Sequence, residues 1–125
     1  MKVEKRTEAD NEDKPKREIV PEGEYDIFVG NVEVKNVGAV EEWKIQTEIE
    51  KGPFKGRWLF DTITWEEKWR WKYLMILEAV GIDTDEDQQV TTNDLIGKQA
   101  TVKVKHTVKG DKTYANIRGW EGYPF

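Results

Sequence analysis

Cysteine is absent from this chain of 125 residues, and histidine occurs once, at position 106. The first absence excludes disulfides and thiolate metal sites; the second excludes a histidine-built metal site and a histidine relay for acid–base chemistry. No apolar run approaches the ~18 residues that a membrane-crossing helix needs, and the N-terminus has no apolar signal-peptide segment. A soluble, cytoplasmic protein is expected from these gaps. A Gly-rich phosphate cradle, a nucleophile elbow and a paired-carboxylate signature are missing too. Asp83, Asp85 and Asp87 alternate, but without the central glycine and terminal glutamate of a calcium loop. The expectation is therefore a protein that is not an enzyme and carries neither cofactor nor metal.

What is present is charge and tryptophan. Charged residues make up 36% of the chain and hydrophobic residues 37%, which implies a modest core under a heavily charged surface. The length fits one domain. Six tryptophans are many for this size; they either pack the core or are held for stacking against a flat ligand. The formal net charge of −5 counts against a polyanion as partner, unless the charges are segregated along the chain.

Residues 1–20 are charged, mixed in sign and nearly free of large apolar side chains, so they read as a disordered arm ahead of a domain at 21–125. After Pro21-Glu22-Gly23, Tyr25, Ile27 and Val29 alternate with other residues. The apolar phase then slips to Val32 and Val34 across Gly30-Asn31, the mark of a β-bulge in a long first strand. A second strand carries Trp43, Ile45, Thr47 and Ile49 on one face. Past the turn Gly52-Pro53-Phe54-Lys55-Gly56, a third strand runs from Arg57 to Thr64. Setting Ile49 opposite Trp58, Thr47 opposite Phe60 and Ile45 opposite Thr62 gathers the apolar residues on one face. On that register Trp43, Trp58 and Phe60, which as flat groups could also serve as stacking platforms, are core residues first, and Lys44, Glu48, Arg57 and Asp61 face outward.

Thr64-Trp65-Glu66-Glu67 has the pattern of a capping box for a helix that ends at Gly81. Its stripe is Trp65, Trp69, Tyr73, Ile76, Leu77 and Val80, with Trp71 and Met75 off to one side. Residues 83–94 read as an acidic loop. A fourth strand, 98–108, turns Ala100, Val102, Val104, His106 and Val108 inward and leads through Lys109-Gly110-Asp111-Lys112 into a fifth, 113–120. Three strands, a helix and a hairpin, β1-β2-β3-α-β4-β5, give an all-β barrel with one helix, the connectivity of the OB fold. An SH3-like barrel or an open α+β sheet is the alternative.

The last hairpin concentrates positive charge. Between positions 98 and 118 there are six basic residues against one acid, a local balance of +5. Pairing about its turn sets Lys103 opposite Arg118, Lys105 opposite Asn116, Thr107 opposite Tyr114 and Thr101 opposite Trp120 on the outer face. Cations directly across a ladder repel unless an anion lies between them. Basic groups interleaved with aromatic ones suit a nucleic-acid single strand, whose phosphates need cations and whose bases need flat partners. A lysine-rich hairpin that resists edge-to-edge aggregation accounts for the same pattern.

Several stretches resemble the OB-fold single-stranded DNA-binding proteins of bacteriophages, long catalogued as a phage domain of unknown function. They are Glu22-Gly23-Glu24-Tyr25, Gly52-Pro53-Phe54-Lys55-Gly56-Arg57, Leu77-Glu78-Ala79-Val80-Gly81-Ile82, Asp94-Leu95-Ile96-Gly97-Lys98, and Val102-Lys103-Val104-Lys105-His106 with Lys112-Thr113-Tyr114-Ala115. The resemblance implies a non-catalytic protein that coats single-stranded DNA in phage replication or recombination, in the host cytoplasm. The ending Tyr123-Pro124-Phe125 is similar to the Pro-Phe ending by which bacterial single-stranded DNA-binding proteins dock onto replication or recombination proteins, although the acidic run before it is missing.

The site expected from this reading consists of Lys103, Lys105, Lys112 and Arg118 on phosphates and Tyr114 and Trp120 on bases. Lys44 and Arg57 would extend the phosphate track, with Glu48 and Asp61 on their face opposing it. The alternative function is a protein-interaction module working through Trp71 and Met75.

Overall fold

The computed structural model describes residues 19–85 and 89–122. Five antiparallel strands form one sheet in the order β3-β2-β1-β4-β5. They are β1 (Gly23–Val37), β2 (Val40–Ile49), β3 (Trp58–Thr64), β4 (Gln99–Lys109) and β5 (Lys112–Gly122). Between β3 and β4 come a 3-10 turn (Glu67–Trp69), helix α1 (Arg70–Ala79) and a four-residue helix α2 (Thr92–Leu95).

β1 organises the sheet. Its first half, Gly23 to Phe28, pairs with β4, and its second half, from Ile27 onward, pairs with β2. The ladder to β2 slips between Val29 and Asn31, so Gly30 is the unpaired residue of a bulge that bends the strand. That bend keeps Ile27, Val29 and Val32 all buried although the apolar phase changes. The curled sheet brings β3 and β5 face to face, where the Trp120 indole donates to Asp61 Oδ2 at 2.8 Å. Connectivity and strand order are those of an all-β, OB-like barrel with one principal helix.

The inner faces supply Ile27, Ile45, Ile49, Ile63, Val102 and Val104, each at most 1% exposed. α1 covers them with Ile76 and Leu77. At its N-terminal end, Trp43 meets Trp65 edge-on at 4.9 Å, and Trp65 lies 4.9 Å from Tyr73. Gly81 ends the helix with φ +87°. Its N–H donates to the Glu78 carbonyl and that of Ile82 to the Leu77 carbonyl, the paired bonds of a Schellman cap.

Four expectations are corrected. No side-chain cap forms ahead of α1; Thr64 is the last residue of β3, so the chain enters the helix through the 3-10 turn. The capping box lies instead at Thr91 and Asp94, where it starts, within the segment read as a loop, the short helix whose last residue, Leu95, is buried. Val108 is 68% exposed, because β4 runs past the end of its pairing with β1 and has no core to face there. The arm 1–20 falls mostly outside the described residues, but Val20 at its end is 3% exposed. Its carbonyl accepts a hydrogen bond from His106 Nε2 at 2.8 Å, so the domain includes it.

Two carboxylates anchor β1 to its neighbours. Asp26 accepts from Lys51 Nζ and from Thr101 Oγ1, both at 2.7 Å. The lysine first, and then the threonine hydroxyl, holds its pKa below the ordinary value. Glu22 accepts the His106 backbone N–H at 2.9 Å, and that bond lowers its pKa in turn. Depressed folded-state values mean that both contributions are present above the unfolded carboxylate range near pH 4 and are lost as pH falls through the folded values. Stability should therefore decline on acidification below about pH 4. Asp26→Asn should flatten part of that decline, as read from urea midpoints at neutral and acid pH; an unchanged acid profile in the variant would remove Asp26 from the account.

Candidate nucleic-acid interface

β3 decides which aromatic rings face solvent. Its sequence Trp58-Leu59-Phe60-Asp61-Thr62-Ile63 offers an apolar residue in either phase, and the ladder selects one. Glu48 pairs with Trp58, Gln46 with Phe60, Lys44 with Thr62, and Trp43 with Ile63. The register is therefore one residue away from the expected one. Ile49 sits at the turn, donating to the Arg57 carbonyl and accepting from the Gly56 N–H, both at 2.9 Å. This phase buries the aliphatic pair Leu59 and Ile63 and spares the barrel two bulky rings. Trp58 is left 57% exposed and Phe60 44% exposed. Both were expected in the core.

The neighbouring groups make this face a platform with cations at its rim. Lys44 Nζ lies 4.8 Å from the Phe60 ring centroid, within cation–π range. The Trp58 indole donates to Glu48 Oε1 at 3.2 Å, which fixes the ring's azimuth. At the seam between β3 and β5 a depression of about 310 Å³ is lined by Lys44, Phe60 and Thr62, by Lys72 of α1, and by Asn116 and Arg118 of β5. Asp61, expected to oppose phosphate from the outer face, is turned into the seam. Its Oδ1 accepts from Lys72 Nζ and from the Thr62 N–H, each at 2.8 Å, while Oδ2 holds the Trp120 indole. Asn116 Nδ2 and Arg118 Nη2 both donate to Thr107 Oγ1, at 2.9 and 3.1 Å.

The fifth strand holds the second correction. Lys105 opposite Asn116 and Thr107 opposite Tyr114 stand as expected, but the ladder slips between Lys103 and Val104. Arg118 is the extra residue of this bulge, and beyond it every side chain of β5 changes face. Lys103 therefore lies opposite Gly119, and Trp120 opposite Val102. Trp120 is 4% exposed, a seam and core residue rather than an outer stacking ring. Lys103 is paired with carboxylates, Glu121 at 2.8 Å and Glu24 at 3.9 Å, and the Glu121 contact raises its pKa. The repulsion expected between Lys103 and Arg118 does not arise in this register.

Of the expected residues, the fold thus brings Lys44 and Arg118 together around Phe60. Lys105, the 45%-exposed Tyr114 and Lys112 follow along the outer side of the β4–β5 hairpin. Arg57 is half-buried ahead of β3, and Lys103 and Trp120 are engaged elsewhere. Sequence reasoning ranked Trp58 and Phe60 as core groups ahead of surface stacking groups. The signal available was the i, i+4 aliphatic pair Leu59 and Ile63, which fits a buried phase without them. Tyr123-Pro124-Phe125 lies outside the described residues.

The chain belongs to a family described as a protein of unknown function (DUF669), whose model matches residues 7–123. No curated protein matches it.

Proposed function

We propose that this member of the DUF669 family binds single-stranded DNA, largely without regard to sequence, and does no covalent chemistry. The observation that carries the reading is the pair of exposed rings on β3, Trp58 and Phe60, with Lys44 over one of them and Arg118 across the same depression. An OB barrel presents the face of its second and third strands, flanked by the β1–β2 and β4–β5 loops, to oligonucleotides. Here that face carries flat groups for bases, and the β4–β5 hairpin carries Lys105 and Lys112 for backbone phosphates. The overall negative charge is unevenly distributed: between positions 98 and 118 the local balance is +5, and the carboxylate at the seam, Asp61, is paired with Lys72. The resemblance to phage proteins supports a role in coating single strands during phage replication or recombination.

A tryptophan-fluorescence titration with oligo-dT and with duplex of equal length tests the reading. Quenching by the single strand alone is the expected result, and no response to either would overturn it. Four phosphate-facing cations, Lys44, Lys105, Lys112 and Arg118, imply a log–log salt slope of about −3, at roughly −0.7 per phosphate on single strands. An affinity indifferent to salt would exclude the phosphate track.

A further inference from the structure

We infer that the start of α1 is a second stacking platform, onto which a single strand leaving the Phe60 depression continues; this rests on the proposed function. The sequence there, Lys68-Trp69-Arg70-Trp71-Lys72, alternates cations with indoles. Neither indole serves the core. Trp69 is 38% exposed and Trp71 63% exposed, and their rings lie 6.2 Å apart with planes inclined at 42°. Together they form one continuous aromatic surface on the outside of the domain. Trp71, two residues from Trp69 and the more exposed of the two, forgoes most of the burial energy its size could supply, so core packing does not explain it.

Lys72 makes the connection. Its ammonium reaches Asp61 at the floor of the seam and lines the depression that holds Phe60, Lys44 and Arg118. Lys72 directly follows Trp71 in the chain, so the residue that lines the Phe60 depression belongs to the same turn as the indole pair. Lys68 is held 3.5 Å from Glu66, whereas Arg70 is exposed and makes no ion pair among the described residues. A protein-docking surface would be expected to exclude lysine from its centre. Flat groups interleaved with cations are what a phosphodiester chain with stacked bases requires. The ligand of this platform is thus the same single strand as that of the β3 face, engaged farther along its length.

The test compares oligo-dT of two lengths, about 4 and about 16 nucleotides, the limits of what one OB domain covers. The proteins are the parent chain, Trp71→Ala, Arg70→Gln and Trp71→Phe. Trp71→Ala and Arg70→Gln should bind the long oligonucleotide about tenfold more weakly than the parent, in line with loss of one stacked base or its phosphate contact. They should bind the short one as the parent does, and Trp71→Phe should recover most of the long-strand affinity. Since both side chains face solvent, melting temperatures should not move. If the parent prefers the long strand and Trp71→Ala retains that preference in full, the α1 platform is excluded and the indole pair is left to a protein partner. If the parent binds neither length, the proposed function itself fails. A Phe60→Ala variant weakened on both lengths separates the two outcomes.

Discussion

Trp120→Ala is expected to destabilise the domain by about 3–5 kcal/mol, the usual loss when a buried aromatic side chain is emptied from a core. With total stabilities of about 5–15 kcal/mol for domains generally, that is a large share of what holds the fold. The ring is 4% exposed, and its indole is the side-chain hydrogen-bond donor joining β5 to Asp61 on β3. Its removal opens space between the two strands and leaves Asp61 with fewer donors in a half-buried seam. Trp120→Phe separates the two contributions: it keeps most of the apolar contact and removes the hydrogen bond, for which a loss of about 1–3 kcal/mol is expected. Urea unfolding of both variants is the measurement. A Trp120→Ala protein that unfolds with the parent but binds oligo-dT less tightly would put the indole on the outer surface and invalidate the β4–β5 bulge.

The opposite behaviour is expected of β3. Trp58→Ala and Phe60→Ala should each weaken oligo-dT binding by about 1–3 kcal/mol, the range found for aromatic side chains that stack on single-stranded bases. At 1.4 kcal/mol per factor of ten, the double variant should lose on the order of 100-fold in affinity while melting close to the parent. Phe60→Ala carries an added loss, because Lys44 gives up the ring that positions its ammonium. Titration with a dye-labelled oligonucleotide avoids the change in intrinsic fluorescence that Trp58→Ala brings. If the double variant unfolds instead, the rings are core groups and the face must be sought on the other phase of β3.

Most of the architecture could be read from periodicity. Alternation on β1, β2 and β4 marked their buried faces, the bulge at Gly30 was visible as a slip of apolar phase, and Gly81 marked the end of α1. These signals survive because polar residues fill most of the solvent-facing positions where the three strands cover the core; the exceptions, Val34, Val37 and Val108, lie toward the strand ends, beyond it. β3 and β5 lack that contrast. Trp58, Leu59 and Phe60 are consecutive, so pattern alone favours the phase with larger rings, although the barrel interior accepts Leu59 and Ile63 more readily. In β5, Ile117 and Trp120 are three apart, a spacing that simple alternation cannot place on one face. The bulge at Arg118 resolves it, and no glycine or proline at the slip itself announced that bulge; the small residue, Gly119, follows it. The two register errors are thus one residue each, and together they exchanged Trp120 for Trp58 and Phe60 in the expected site.

The division of β1 between two partners has a consequence for how the chain reaches this structure. β1, β2 and β3 form a meander of short-range pairings, and β4 with β5 forms a local hairpin. The two halves are stitched by β1 against β4, contacts such as Asp26 to Thr101 that are 75 residues apart in sequence. Local units of this kind form quickly, whereas the long-range closure carries the loop entropy and sets the rate. During synthesis the meander leaves the ribosome with Ile27 lacking its partner on β4 and Val29 its bond to the Lys98 carbonyl. That apolar surface stays uncovered until the final hairpin has been made, which is the interval in which an incomplete chain of this design is most prone to associate with its neighbours.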